Sequence, residues 1–319
     1  MHYLDYVIKT QDHGREVLSI LRGELKLSTH KIRSVKWEEK GILLDGIRVT
    51  VRQRVRQGQK LQILLNDSME ESHIAATPMD LSILYEDENL IFLEKPSGIV
   101  SHPSMGHSKD SLANGLASYY ERKKQLDSGI HLIGRLDKDT SGIVGIAKNS
   151  VTKDRMIHFR KQGHIRKEYL ALVEGKMKEK IGVITHPMVE YRDEKDGFKI
   201  KMRSPMTGES GLFAVTHYEV IAESHDDSLL LLWLETGRMH QIRFHMASIG
   251  HPLLGDSIYG HGSVEKRIER TALHAWKLRF LHPYHLEEME LISRIPEDMA
   301  GFIPKDILHI IPETETGIF

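Results

Sequence analysis

The chain contains no cysteine among its 319 residues. That excludes disulfides, thiolate nucleophiles and Cys-ligated zinc, and with them redox and zinc-finger functions. It also lacks a long apolar run: the longest uninterrupted one, Leu229–Leu234, is far too short to span a bilayer, so no membrane partner is expected. The start, Met1-His2-Tyr3-Leu4-Asp5, has no basic stretch ahead of an apolar core, so no signal peptide is expected and the expected location is cytoplasmic. No Gly-x-Gly-x-x-Gly follows a strand pattern, and strands and helices mix without a βαβ rhythm, which argues against a Rossmann sheet. Chemistry must therefore come from Asp, Glu, His, Lys, Arg, Tyr or Ser.

What is present is an ordinary globular composition, 40% hydrophobic and 28% charged, long enough for one large domain and a smaller one. The net charge of -1 selects no partner, but its distribution is uneven. Residues 1–66 hold 13 Lys and Arg against 7 Asp and Glu, while the remainder holds 31 against 38. A basic segment on a mildly acidic body suits an RNA-gripping module attached to an enzyme core, because phosphate neutralisation dominates nucleic-acid affinity; the plain alternative is a solvated basic surface. Within residues 1–66, the pattern predicts a helix over Gly14–Ser28 and a second over Thr29–Lys40. A hairpin is expected at Asp45-Gly46 and a last strand within Gln57–Leu65. That order resembles the αL-type RNA-binding domain named after a small-subunit ribosomal protein.

A polar linker is expected over 67–79, a second domain over 80–302, and a C-terminal tail over 303–319 that includes Ile307-Leu-His-Ile-Ile311. In the second domain, Leu81–Tyr85 and Leu90–Glu94 read as a hairpin that ends in Lys95-Pro96-Ser97-Gly98. Helices are predicted over Ser111–Lys124 and over Val151–Gln162, the latter stopped by Gly163, and a strand over Lys167–Gly175. The fold class is α+β with a mainly antiparallel mixed sheet.

Two segments carry candidate chemistry. Gly134-Arg135-Leu136-Asp137-Lys138-Asp139-Thr140-Ser141-Gly142 places a carboxylate and a turn between two apolar runs, where it is either a catalyst or an Asx turn linking two strands. Leu229–Gly250 reads as a buried strand, a Thr236-Gly237 turn and a short helix. On that helix Ile242, Met246 and Ile249 form the core stripe. His240 and Arg243 are expected on another face, so that Arg243 is presented rather than buried; a surface salt bridge is its bland role.

In order and spacing, five motifs resemble the RluA branch of pseudouridine synthases. They are Lys95-Pro-Ser-Gly with His102-Pro103; Arg135-Leu-Asp137-Lys-Asp-Thr140-Ser-Gly; Lys167-x-Tyr169-x-Ala-x-Val-x-Gly175; Thr236-Gly-Arg238-x-His240-Gln-Ile-Arg243-x-His245; and Gly255-Asp256-x-x-Tyr259-Gly260. The resemblance implies the pseudouridine synthase fold, a central RNA cleft and no cofactor. It implies that Asp137 is the catalytic aspartate, Arg243 its partner, Tyr169 a ring that stacks on the flipped base, and Arg135 the residue that fills the vacated space. Core packing is the plain alternative for Tyr169. Lys95, His102 and His240, with Lys167 and Arg238, are expected to orient the cleft or touch RNA, and Asp139 to serve the turn. The family usually has His where this chain has Gly134, which puts loop rigidity in question.

The expected reaction converts uridine to pseudouridine in structured RNA, ribosomal RNA ahead of transfer RNA, by a protein expected to be a monomer. One carboxylate suffices, as nucleophile or as base, and both roles stay open. Asp137-x-Asp139 also invites a phosphohydrolase reading, but that chemistry wants an apolar strand running straight into the first aspartate, and Gly134-Arg135 interrupts it. His240, His245 and His251 do not share a helical face, so no metal site is expected. The different-class alternative is an RNA-binding or ribosome-assembly factor whose catalysis is dispensable.

Overall fold

The computed structural model describes residues 3–65, 74–194, 199–261, 268–303 and 316–318. Most of the expected linker, and Ile307–Ile311 of the expected tail, lie outside these residues.

The first 65 residues build their own sheet and core. Strands Tyr3–Val7, Lys60–Leu64, Ile42–Leu44 and Ile47–Arg48 lie side by side in that order, all antiparallel. Asp45 and Gly46 both take positive φ (52° and 80°), as a two-residue hairpin of matching twist demands. Helix Val17–Gly23 is followed by helix Thr29–Trp37, whose N-cap, Ser28, accepts a bond from the Lys31 N–H. The two helices bury Ile20, Leu21, Ile32 and Val35 against Leu61 and Ile63. The strand Tyr3–Val7 has no clear local signal; it exists because Lys60–Leu64 offers it a full ladder. Val151 of the next unit completes this core, and Asp154 Oδ2 accepts the Ser28 N–H at 3.0 Å, so the small unit is seated on helix Ser150–Lys161.

The second unit is an eleven-stranded sheet. Its main path runs Ile181–Ile184, Thr216–Glu223, Asp227–Leu234, Ile165–Glu174, Leu273–Leu281, Ser141–Ala147, Leu90–Lys95, Ser82–Glu86. Pairing along the path is antiparallel except where Leu273–Leu281 meets Ser141–Ala147, which makes the sheet mixed. Of the tail, Thr316–Ile318 pairs with strand Glu288–Ile292. Helix Leu112–Lys123 begins at a Ser111/Asn114 capping box and lays Leu112, Leu116 and Tyr120 on one face of the sheet. Helix Gln241–Ser248 packs its Ile242 and Met246 into the same layer. The opposite face packs Leu170, Leu172, Leu229 and Trp276 against Met299. Among the described residues no helix is long and apolar enough to cross a membrane.

Strand Ser141–Ala147 is buried at every position, and its entry is closely packed. Gly142 has φ of +110°, and a Cβ there would lie 2.2 Å from the Ala275 carbonyl oxygen. Only glycine meets both conditions. Gly142→Ala should therefore cost about 2–5 kcal/mol from strain and overpacking together, read as a lowered urea midpoint with unchanged slope. A midpoint within error of wild type would contradict this account.

Candidate active site

Asp137 sits in a tight turn just before strand Ser141–Ala147. Thr140 donates its backbone N–H to the Asp137 carbonyl at 3.2 Å. The main chain thus closes the turn, and the carboxylate that an Asx turn would have used is left over. Its Oδ2 lies 3.5 Å from Arg243 Nη1 and 3.9 Å from His240 Nε2, with the side chain 27% exposed.

The turn is gripped from behind by residues 95–101. Lys95 Nζ donates to the carbonyls of Pro96, Ile99 and Lys138 at 2.9, 2.7 and 2.9 Å. Ser97 Oγ donates to the Asp139 carbonyl, Gly98 N–H to the Lys138 carbonyl, and Ser101 Oγ to the Leu136 carbonyl. Lys95 is buried, which pushes its pKa down to about 8 against the pull of Asp139 and Asp137. All three of its N–H donors are spent on carbonyls, so it clamps the Asp137 turn. The grip also bears on Gly134. A Cβ there would meet nothing within 4 Å, and the bonds that hold the turn all lie downstream of it.

Arg243 is buried, at 3% exposure, and corrects the expectation of a presented side chain. Asp256 is the reason: it accepts from Arg243 Nε and Nη2, each at 2.7 Å, and its Oδ1 also accepts the N–H groups of Ile258 and Tyr259. Burial works against the Asp256 anion, but these bonds override it and hold the carboxyl below the usual carboxylate range. Burial likewise works against the Arg243 cation, yet Asp256 and Asp137 together raise its pKa. The third stripe residue, Ile249, is 39% exposed, because the helix ends at Ser248 and Gly250 turns the chain with φ of +88°.

His240 precedes the helix in a left-handed conformation, φ +52°, with Nδ1 3.1 Å from the Tyr259 hydroxyl. Burial lowers its pKa despite Asp137, which favours the neutral imidazole, and Arg243 is the buried cation beside Asp137. Tyr169 is 9% exposed, and its hydroxyl pKa is raised by burial and by the Asp137 charge. Lys167 Nζ lies 5.7 Å from the Tyr169 ring, and burial lowers it to about 7.

These side chains converge on a slot of about 60 Å³. Asp137, Arg243, Tyr169, His240, Arg135 and Arg238 line it, floored by apolar Leu136, Ile242 and Leu273. Lys95, His102 and Lys167 do not. His102 is exposed on the loop beyond the clamp, with Nδ1 near its own Pro103 carbonyl. Larger hollows of about 490, 740 and 790 Å³ contain none of Asp137, Tyr169 or Arg243, so convergence, not size, marks the site. Among the described residues no three His, Asp or Glu side chains could share a metal ion. Sequence reasoning gave no role to Asp256 or Tyr259. The signal was Gly255, whose φ of +69° and close approach to the Arg270 carbonyl fix the turn that aims Asp256 inward.

Comparison with known proteins agrees with this geometry. The family model for RNA pseudouridylate synthase matches residues 89–248. An uncharacterised RNA pseudouridine synthase of Bacillus subtilis (strain 168) is 34% identical over 281 residues, 88% of this chain and 96% of that protein. Ribosomal large subunit pseudouridine synthase D of Escherichia coli (strain K12) is 34% identical over 255 residues, 76% of each chain. Among solved structures, human RNA pseudouridylate synthase domain containing 1 superposes with a TM-score of 0.55 at 26% identity, covering 74% of this chain and 89% of that one. The leftover carboxylate, its buried arginine and these matches lead to one assignment: the chain belongs to the RNA pseudouridylate synthase family, isomerases that convert uridine to pseudouridine.

Proposed function

We propose that this chain isomerises a uridine in structured RNA, ribosomal RNA being the substrate class, with Asp137 as the catalytic carboxylate. The observation that carries this reading is a carboxylate unspent by its own turn, 3.5 Å from a buried arginine, on the same slot as a buried tyrosine. The reaction breaks the bond from the sugar to N1 of uracil, turns the base and joins the sugar to C5. N1 gains a proton, C5 loses one, and nothing is oxidised. Asp137 either attacks the sugar or takes a proton from it; Arg243, with Nη1 3.5 Å away, holds the carboxylate in place for both.

A base in folded RNA must leave its stack before it reaches such a slot. Tyr169 offers its ring to the flipped base, a contact worth roughly 1–3 kcal/mol, comparable to the cost of extruding a weakly paired nucleotide. Arg135, exposed at the mouth, is the side chain available to fill the gap left behind. Arg238 and His240 border the entering nucleotide, and a phosphate near Lys167 would restore the full charge that burial depresses. The basic N-terminal unit, with its αL-like order of elements, supplies long-range attraction to RNA. Ribosomal RNA is favoured because several relatives, the one from Escherichia coli included, carry ribosomal large subunit in their names.

Mapping pseudouridine in total RNA from cells lacking this protein should show a site that vanishes and returns with wild type but not with Asp137→Asn. If no site changes while the protein still binds RNA, a binding or assembly role replaces catalysis. Asp256→Asn strips Arg243 of its matched partner. It should lower stability by about 3–5 kcal/mol and the saturated rate about tenfold or more, with RNA affinity little changed. Tyr169→Leu should cut the rate about 5- to 140-fold, the range that loss of stacking implies, without a comparable fall in thermal stability; an unaffected rate would return Tyr169 to plain core packing.

A further inference from the structure

We infer that Phe213 is a stacking platform for a nucleobase flanking the target uridine, an inference that rests on the RNA reading above. Phe213 is 62% exposed and is the one exposed phenylalanine among the described residues; Phe92, Phe244 and Phe280 are all buried. Its backbone is not free to tuck the ring away. Leu212 and Met188 exchange N–H and carbonyl bonds at 2.7 and 3.0 Å, and Val215 N–H is held by Thr236 Oγ1 at 3.0 Å. Gln241, 2% exposed, fixes the other side by donating to the Val215 carbonyl and accepting the Arg238 N–H. Ala214 and Val215 are buried immediately after it. A large apolar ring is thus pinned in water by a rigid frame.

Its place gives it a partner. Arg238 Nε donates to the Phe213 carbonyl at 3.3 Å, and Arg238 lines the Asp137 slot, so the Phe213 main chain lies one side chain out from the slot wall. An exposed ring beside an exposed arginine suits a base and its phosphate. The target base occupies the slot, so the ring outside it meets a neighbouring base. Leu212 and Met206 are also exposed nearby in sequence, as a protein-docking face would require. RNA is favoured because Arg238, exposed and bonded to the Phe213 main chain, offers a cation for the phosphate that accompanies a base, and the slot it lines takes a nucleotide in the reading above.

The test uses the full chain with Phe213→Ala, Phe213→Leu, Phe213→Tyr and Phe213→Trp. Single-turnover pseudouridine formation is measured in total RNA from cells lacking the protein, over a range of enzyme concentrations, with thermal unfolding as the folding check. Phe213→Ala should raise the half-saturating concentration about 5- to 140-fold and leave the saturated rate unchanged. Phe213→Tyr and Phe213→Trp should stay within about threefold of wild type, and Phe213→Leu should behave like Phe213→Ala. The inference is overturned if Phe213→Leu tracks wild type, if Phe213→Ala changes nothing, or if the saturated rate falls at constant half-saturation, since Phe213 would then act through the slot wall. A change of mass in solution with RNA half-saturation unaltered would assign the face to a protein instead. A wild type that forms no pseudouridine sinks the RNA reading and this inference together.

Discussion

The buried pair between Arg243 and Asp256 is the constraint on which the cleft depends. Taking a guanidinium and a carboxylate out of water is costly, and only matched geometry with every remaining donor and acceptor satisfied offsets it. Here two bonds at 2.7 Å use Nε and Nη2, one edge of the fork, and two backbone N–H groups saturate Asp256. The remaining nitrogen, Nη1, is left facing Asp137. A lysine has no second edge to present, so the pairing fixes not only a charge but its direction. The charge is also constant: Arg243 stays protonated at any working pH, while burial shifts the neighbouring imidazole of His240 toward its neutral form.

The other half of the geometry comes from strand register. Ala275 pairs with Gly142 on one side and with Tyr169 on the other. Strands in a sheet lie about 4.7–4.9 Å apart, so a single small residue sets the distance between the strand that follows Asp137 and the strand that presents Tyr169. Gly142 permits that closeness, and the Lys95 segment then prevents the turn above it from drifting. Three separate pieces of chain fix the carboxylate: the clamp at 95–101, the helix at 241–248 and the turn at 255–259. Their sequence separation is long, so the site exists only when the sheet is complete.

This separation decides what could be read from the sequence. Local devices were legible: the Asp45-Gly46 hairpin and the stops at Gly163 and Gly250 all occur where their chemistry places them. The convergence of Asp137, Tyr169 and Arg243 was legible only through five motifs in order, not from periodicity. Arg243 was misjudged because a helical stripe shows where apolar side chains go and says nothing about a carboxylate 13 residues away that makes burial of a cation acceptable. For Lys95 the pattern left cleft orientation and RNA contact both open for the same reason, since the Lys138 carbonyl that helps to bury it comes from 43 residues downstream. Strand Tyr3–Val7 depends on a partner almost sixty residues later. Long-range satisfaction of polar groups is the information a one-dimensional pattern lacks.

The same bookkeeping of donors explains how a nearly neutral chain can address a polyanion. Several cations of the second unit are already committed: Lys95 to carbonyls, Arg243 to Asp256, Arg270 to Asp298, Arg203 to Glu209. At the slot, Arg135 and Arg238 remain exposed. In the proposed reading, then, the cleft holds a nucleotide by rings and shape more than by charge, and most of the long-range attraction falls to the basic N-terminal unit. That unit is anchored to helix Ser150–Lys161 through Ser28 and Val151, away from the slot lining. A division of this kind suits isomerisation of a base within RNA: attraction to phosphate is indifferent to sequence and can act at a distance, whereas the chemistry needs one base turned within a fixed frame.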